Sequence, residues 1–174
     1  FAEPLWPDEV LYFPNEPAGK GGNDLASLCA DVELGGTRGK RAADRLIEMK
    51  DKATVAAMSK TLLDPKATED ARIQSARVLG AFKEAAAASA LSRALNDKSL
   101  PVRKAAADSL ATAGEKKDAL AIAAALEAFA KEFEKELKKA EIQQWEDYMA
   151  LDAAYVAAMA ALGEARVAGL VDTL

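Results

Sequence analysis

The sequence contains no histidine and only one cysteine, Cys29. Histidine is the usual general base, zinc ligand and pH sensor of proteins, so its absence argues against all three roles here. A lone cysteine cannot form an internal disulfide. With apolar neighbours and no histidine to activate it, Cys29 is predicted to be a buried structural thiol. We therefore predict no catalytic residue, no metal site and no cofactor.

Aromatic residues and long hydrophobic runs are also scarce, and acidic residues outnumber basic ones. Aromatics make up 6% of the chain, so the core must be built from alanine and aliphatic side chains. Alanine has the highest helix propensity, which predicts an all-α fold. No apolar run approaches the roughly 20 residues of a membrane span, so none is expected. The net charge of −5 argues against nucleic-acid binding, which needs a basic face.

Proline and glycine are concentrated before residue 40 and become rare after it. Four of the six prolines and six of the ten glycines lie in this first segment. We predict an irregular arm over residues 1–40, with a short helix near 24–31, and a repeat domain over 41–174. The run from Gly35 to Arg41 lacks two of the residues that define a phosphate-binding loop, and we interpret it as a linker. Because residue 1 is Phe, the chain is expected to be a processed protein or a fragment of a longer one.

The second segment contains an internal repeat. A shift of 33 residues aligns the first copy with the second, and a shift of 31 aligns the second with the third. The aligned positions are spaced at i, i+3 and i+4, as on one face of a helix, and the period is typical of stacked helical hairpins. They include Ala43, Leu46, Met58 and Leu62, then Ala76, Leu79, Leu91 and Leu95, then Ala107, Leu110, Ile122 and Leu126.

Local signals place the helices within these copies. In the second copy we predict helices from Glu69 to Phe82 and from Ala85 to Leu95, the first capped by Thr68. In the third, Ser99 and Pro101 mark the start of a helix and Gly114 is predicted to end it in a left-handed conformation. Two long helices are expected between 120 and 162, with a break near 141–144, and a short one from Glu164 to the end.

These motifs resemble HEAT repeats, in particular a short bacterial type also found in phycobiliprotein-lyase-like proteins. The resemblance is clearest in the segment from Asp97 to Arg103, followed by three alanines, Leu110 and Gly114. It covers residues 41–127 well and 145–174 loosely. It implies an α-α superhelix of about four HEAT-like hairpins preceded by the irregular arm. Most proteins of this type are scaffolds, and rarer members are bilin lyases and DNA glycosylases.

Two groups of residues have two interpretations each. Asp64, Arg72, Asp97 and Arg103 form either a binding ladder or a structural one that ties neighbouring turns together; we favour the structural ladder, since partly buried charges are usually paired. The arm is rich in aromatic residues, which either cover the open end of the array or insert into a partner. These residues are Phe1, Trp6, Tyr12 and Phe13.

Repeat geometry suggests the function. Stacked hairpins create an extended surface, and their second helices usually line its concave side. We expect a non-catalytic protein-interaction scaffold or adaptor within a larger assembly, with another protein as partner. The candidate contacts are Lys60, Ser92, Arg93 and Glu127, together with Trp6, Tyr12 and Phe13 of the arm. The alternatives are a HEAT-type enzyme, such as a bilin lyase or DNA glycosylase, and a packing piece of a longer chain.

Overall fold

The computed structural model describes residues 22–137 and 145–163. The described residues form eight α-helices and one 3₁₀ turn, Lys116–Asp118, with no strand. The expected all-α fold is confirmed. The final helix predicted from Glu164 and the aromatic residues Phe1, Trp6, Tyr12 and Phe13 of the arm lie outside the described residues. The helices are α1 (Leu25–Leu34), α2 (Gly36–Met49), α3 (Ala53–Leu63), α4 (Glu69–Gly80), α5 (Ala85–Ala94), α6 (Leu100–Ala113), α7 (Ala119–Leu137) and α8 (Trp145–Ala161).

The helices alternate between two layers. Helices α2, α4, α6 and α8 contact one another in chain order and form the A layer. Helices α1, α3, α5 and α7 form the B layer, and each packs mainly against the A-layer helix that follows it in the chain. The result is the α-α superhelix of stacked helical pairs that the resemblance implied. The aligned positions of the repeat form its core, and all twelve named above are buried.

Capping residues start the helices where the sequence predicts. The Thr68 side chain accepts a hydrogen bond from Ala71 N, and that of Ser99 from Val102 N. The prediction for Gly114 is wrong, since its φ of −75° is not left-handed. Glycine is needed there for space instead: an added Cβ would lie 2.6 Å from the Leu110 carbonyl oxygen.

Helical structure begins earlier than the predicted boundary at residue 40. Helix α1 lies where a short helix was expected, near residues 24–31, and continues to Leu34. The linker interpretation is wrong for residues 36–41, which form the first turns of α2. Gly35, with a φ of +72°, makes the corner between the two helices, and Gly36 N donates to the Asp70 carboxylate at 2.6 Å. Glycines that suggested a flexible connection therefore form a tight corner.

Aromatic residues gather at the end of the stack formed by α7 and α8. The Phe129 ring lies 5.4 Å from that of Tyr148 and 5.9 Å from that of Tyr155. The Tyr155 hydroxyl donates to the Leu95 carbonyl oxygen at 3.1 Å. Because Leu95 directly follows α5, this bond connects α8 to the turn that leads into α6.

Close contact between α4 and α6 depends on Gly80. An added Cβ would lie 2.9 Å from Ser109 Cβ, closer than side chains pack. We expect Gly80→Ala to lower the free energy of unfolding by about 1–3 kcal/mol, measured by urea denaturation. In a Ser109→Gly background the same change should cost less, because the clashing Cβ is absent. Equal costs in the two backgrounds would show that this contact does not limit helix packing.

The buried hydroxyl of Tyr155 is expected to make the folded state less stable at alkaline pH. Burial raises the pKa of Tyr155 to about 12, against about 10 in an unfolded chain. Ionisation is therefore harder in the folded state, so the stability from the neutral hydroxyl is complete below about pH 10 and is lost as pH rises toward about 12.

We expect Tyr155→Phe to remove this component and to cost about 1 kcal/mol at neutral pH, because the bond to Leu95 is lost. Urea unfolding of both proteins at about pH 8 and about pH 11 measures the difference. Parallel losses of stability in the two proteins would contradict the assignment.

Candidate functional site

The predicted contact residues fall into two groups. Lys60 lies in the last turn of α3, and Ser92 and Arg93 lie on α5, which packs beside α3 in the B layer. Lys60 and Arg93 are exposed and Ser92 is half-buried. Glu127 is exposed on α7, whose main helix contact is α8 and not α5. The structure thus brings three of the four together, while the arm residues Trp6, Tyr12 and Phe13 lie outside the described residues.

A groove of about 430 Å³ runs between α3 and α5. We call it the α3–α5 groove. Five of its ten lining residues are alanine or serine, so half of the lining is made of small side chains. The α3 side is lined by Val55, Ala56, Ser59 and Leu63, preceded by Lys52, and the α5 side by Ala86, Ser89, Ala90 and Arg93, preceded by Glu84.

The groove carries cations that have no partner in the described part of the chain. Lys52 and Arg93 line it, and Lys60 follows Ser59 on the same helix. All three are exposed, and none of their side chains has a hydrogen bond or ion pair within residues 22–137 and 145–163. Glu84 is the only carboxylate among the lining residues. The groove is therefore locally positive on a chain whose net charge is −5.

The predicted ladder residues lie at the turns between helical pairs. Arg72 Nη1 on α4 lies 2.6 Å from the carboxylate of Asp97, in the turn before α6. Arg103 donates to the Asp97 carbonyl oxygen and pairs with Glu132 of α7 at 2.6 Å. Asp64 occupies the equivalent turn one copy earlier and accepts from Lys66 N at 2.9 Å. Arg72, Asp97 and Arg103 thus meet around one turn, whereas Asp64 forms its hydrogen bond within the equivalent turn of the preceding copy.

The geometry can be compared with known families. The family model described as HEAT repeats matches residues 55–144, which is more than half of the chain. The chain belongs to the HEAT-repeat family. A search of curated proteins and a search of solved structures each found no match. HEAT repeats generally mediate protein–protein interaction, and all of the groove's lining residues except Lys52 lie in the matched part of the chain.

The sequence predicted charged residues at the edge of this HEAT-repeat groove but not the alanine and serine residues that form its floor. It selected exposed polar residues, and of these only Arg93 lines the groove. The missed signal was the recurrence of small residues at i and i+3 on the outer side of both helices, Ala56 with Ser59 and Ala86 with Ser89. Alanine and serine side chains carry no charge, so nothing in the sequence alone distinguished these four from ordinary helix surface.

Three further features of the HEAT array bear on its function: the single cysteine, the arrangement of possible metal ligands and the hydropathy of the helices. Cys29 is half-buried against the core, which is less burial than the sequence predicted. Its burial, and to a smaller extent the negative charge of Glu33, raises the pKa of its thiol. Within the described ranges no three His, Cys, Asp or Glu side chains cluster as a metal site would need. In the same ranges no helix is both long and apolar enough to cross a bilayer.

The two arginines of α4 provide a matched test of the ladder. Arg72 and Asp97 are 4% and 12% exposed, whereas Arg77 and its partner Asp44, 2.5 Å apart, are 45% and 47% exposed. We expect Arg72→Met to lower the free energy of unfolding by about 3–5 kcal/mol, because it removes the charged partner of a largely buried carboxylate and leaves it only the bond from Ser99 N. Arg77→Met should cost less than about 1 kcal/mol, because water solvates Asp44. Chemical denaturation measures both, and similar costs would refute a structural ladder.

Proposed function

We propose that this protein is a non-catalytic interaction scaffold or adaptor within a larger assembly, and that the α3–α5 groove is its main protein-binding surface. The observation that carries the proposal is a set of three cations, Lys52, Lys60 and Arg93, beside a floor of small side chains. Among the described residues, none of the three side chains has an ion-pair or hydrogen-bond partner. Exposed charges in a folded chain are often paired or scattered. Three of one sign around one groove favour a partner of the opposite sign.

A scaffold is favoured over the two HEAT-type enzymes, a bilin lyase and a DNA glycosylase. The chain lacks histidine, the usual general base. Apart from Lys52, Glu84 and Arg93, the groove is lined by alanine, serine and aliphatic side chains, which carry no acid–base chemistry. Glu84 in the groove and the net charge of −5 weigh against a phosphate backbone as the ligand. A protein surface fits both the shape and the charge better.

The ladder and the arm take different parts in this proposal. We assign Arg72, Asp97 and Arg103 to holding successive turns together, because their bonds join α4, the turn before α6, and α7. Asp64 is assigned a structural role within its own turn, where its carboxylate accepts from Lys66 N. Glu127 on α7 is a peripheral contact for a partner long enough to extend beyond α5. Trp6, Tyr12 and Phe13 stay a prediction, either as a cover for the array or as a second contact.

Charge reversal of the groove tests the proposal. We expect Lys60→Glu combined with Arg93→Glu to weaken binding of partners recovered by affinity purification at least tenfold in calorimetry, about 1.4 kcal/mol. The matched control reverses Lys40 and Arg41, two exposed cations of α2 in the A layer. The control should bind as the unmodified protein does, and both variants should keep its circular dichroism spectrum. Equal binding by all three proteins, or loss in the control alone, would place the surface elsewhere.

A further inference from the structure

The α3–α5 groove lacks the groups that an extended peptide needs. An extended segment carries free backbone N–H and C=O groups, which must find partners when they are buried. The groove walls are helices, whose backbone groups are already paired. Of its polar lining side chains, Ser89 and the charged residues at the two ends are accessible, whereas the Ser59 hydroxyl is buried. A helix brings its own backbone hydrogen bonds, so a helical occupant is the one that this floor accepts without unpaired groups.

The dimensions of the groove also suit a helix. Its lining residues extend from Lys52 to Leu63 on α3, about three helical turns or roughly 16 Å. Alanine and serine along both walls let an incoming helix approach closely, and alanine loses no side-chain entropy when covered. Ala56 and Ala86, which are exposed, and Leu63, which is half-buried, supply the apolar contacts. An amphipathic helix of about three to four turns would fill this space with one face.

Charge sets the chemistry of the occupant. Lys52 lies at the start of α3, while Lys60 and Arg93 lie in the last turns of α3 and α5. An occupant with carboxylates on both sides of its apolar stripe can pair with these cations, whereas a basic helix would be repelled at several places. Glu84 offers one opposing contact for a lysine or arginine, which helps to fix the direction of the helix.

We propose that the α3–α5 groove binds an acidic amphipathic helix of a partner protein. This inference rests on the proposed function, since it names the partner class of the same surface. The small-residue floor determines that the bound segment is helical, and the three cations determine that it is acidic. A second copy of this chain and a basic or extended peptide are the competing occupants.

Selection from a display library of random linear 20-residue peptides tests the inference. The full chain is the bait, and recovered peptides are measured by fluorescence anisotropy and circular dichroism. We expect enriched peptides to carry net negative charge, to gain helix on binding and to bind more weakly as salt rises. Ser89→Arg, which fills the floor, and Lys52→Glu with Arg93→Glu should each weaken binding at least tenfold. The matched control, Lys40→Glu with Arg41→Glu, should leave it unchanged.

The other outcomes separate the two proposals. Enriched peptides that are neutral or basic, or that bind without gaining helix, overturn the acidic helix while the groove stands as a binding surface, provided that Ser89→Arg still abolishes their binding. Both proposals are overturned if Ser89→Arg leaves the affinity of the enriched peptides unchanged, or if the selection enriches no peptide. A dimer in sedimentation analysis that Ser89→Arg dissociates makes a second copy the occupant and overturns the acidic partner helix.

Discussion

The fold depends on the burial of apolar surface between successive helical pairs. Isolated helices of this length are marginal in water, and no pair in the stack can cover both of its faces. Helix α4 shows the constraint most clearly, because it contacts α2, α3 and α6, and its Ala76 and Leu79 have no exposed surface. Removing either neighbouring pair would leave that surface in water.

Polar contacts at the seams between pairs fix how the pairs align. Two contacts join α4 to α2. The Asp70 carboxylate of α4 accepts a hydrogen bond from Gly36 N at the start of α2, and Arg77 of α4 forms an ion pair with Asp44 of α2. One pair further on, the Ser99 hydroxyl donates to Glu69, and that of Thr112 donates to the Gly80 carbonyl oxygen. Hydrophobic burial has little directional preference, so such bonds set the register in which the pairs stack. The same alignment places α3 beside α5 and so forms the groove.

Residue patterns predicted the positions of the helices better than they predicted the contacts between them. In the second and third copies, the i, i+3 and i+4 spacing and the caps at Thr68 and Ser99 located α4, α5 and α6 to within a few residues. The start of α2 was missed because glycines normally break helices, and only the tertiary contact from Asp70 to Gly36 shows why they are used there. The groove floor was missed for a related reason. A groove is a property of two helices side by side, and no pattern within one helix reports it.

The central claim is that a helical pair is stable only against its neighbours. Circular dichroism and thermal melting of a fragment covering residues 68–96, which contains α4 and α5, test it against the full chain. The account predicts a fragment with little helix and no cooperative transition, while the full chain melts cooperatively. A fragment that is helical and melts cooperatively as a monomer would contradict the account, since α4 and α5 would then need no stack.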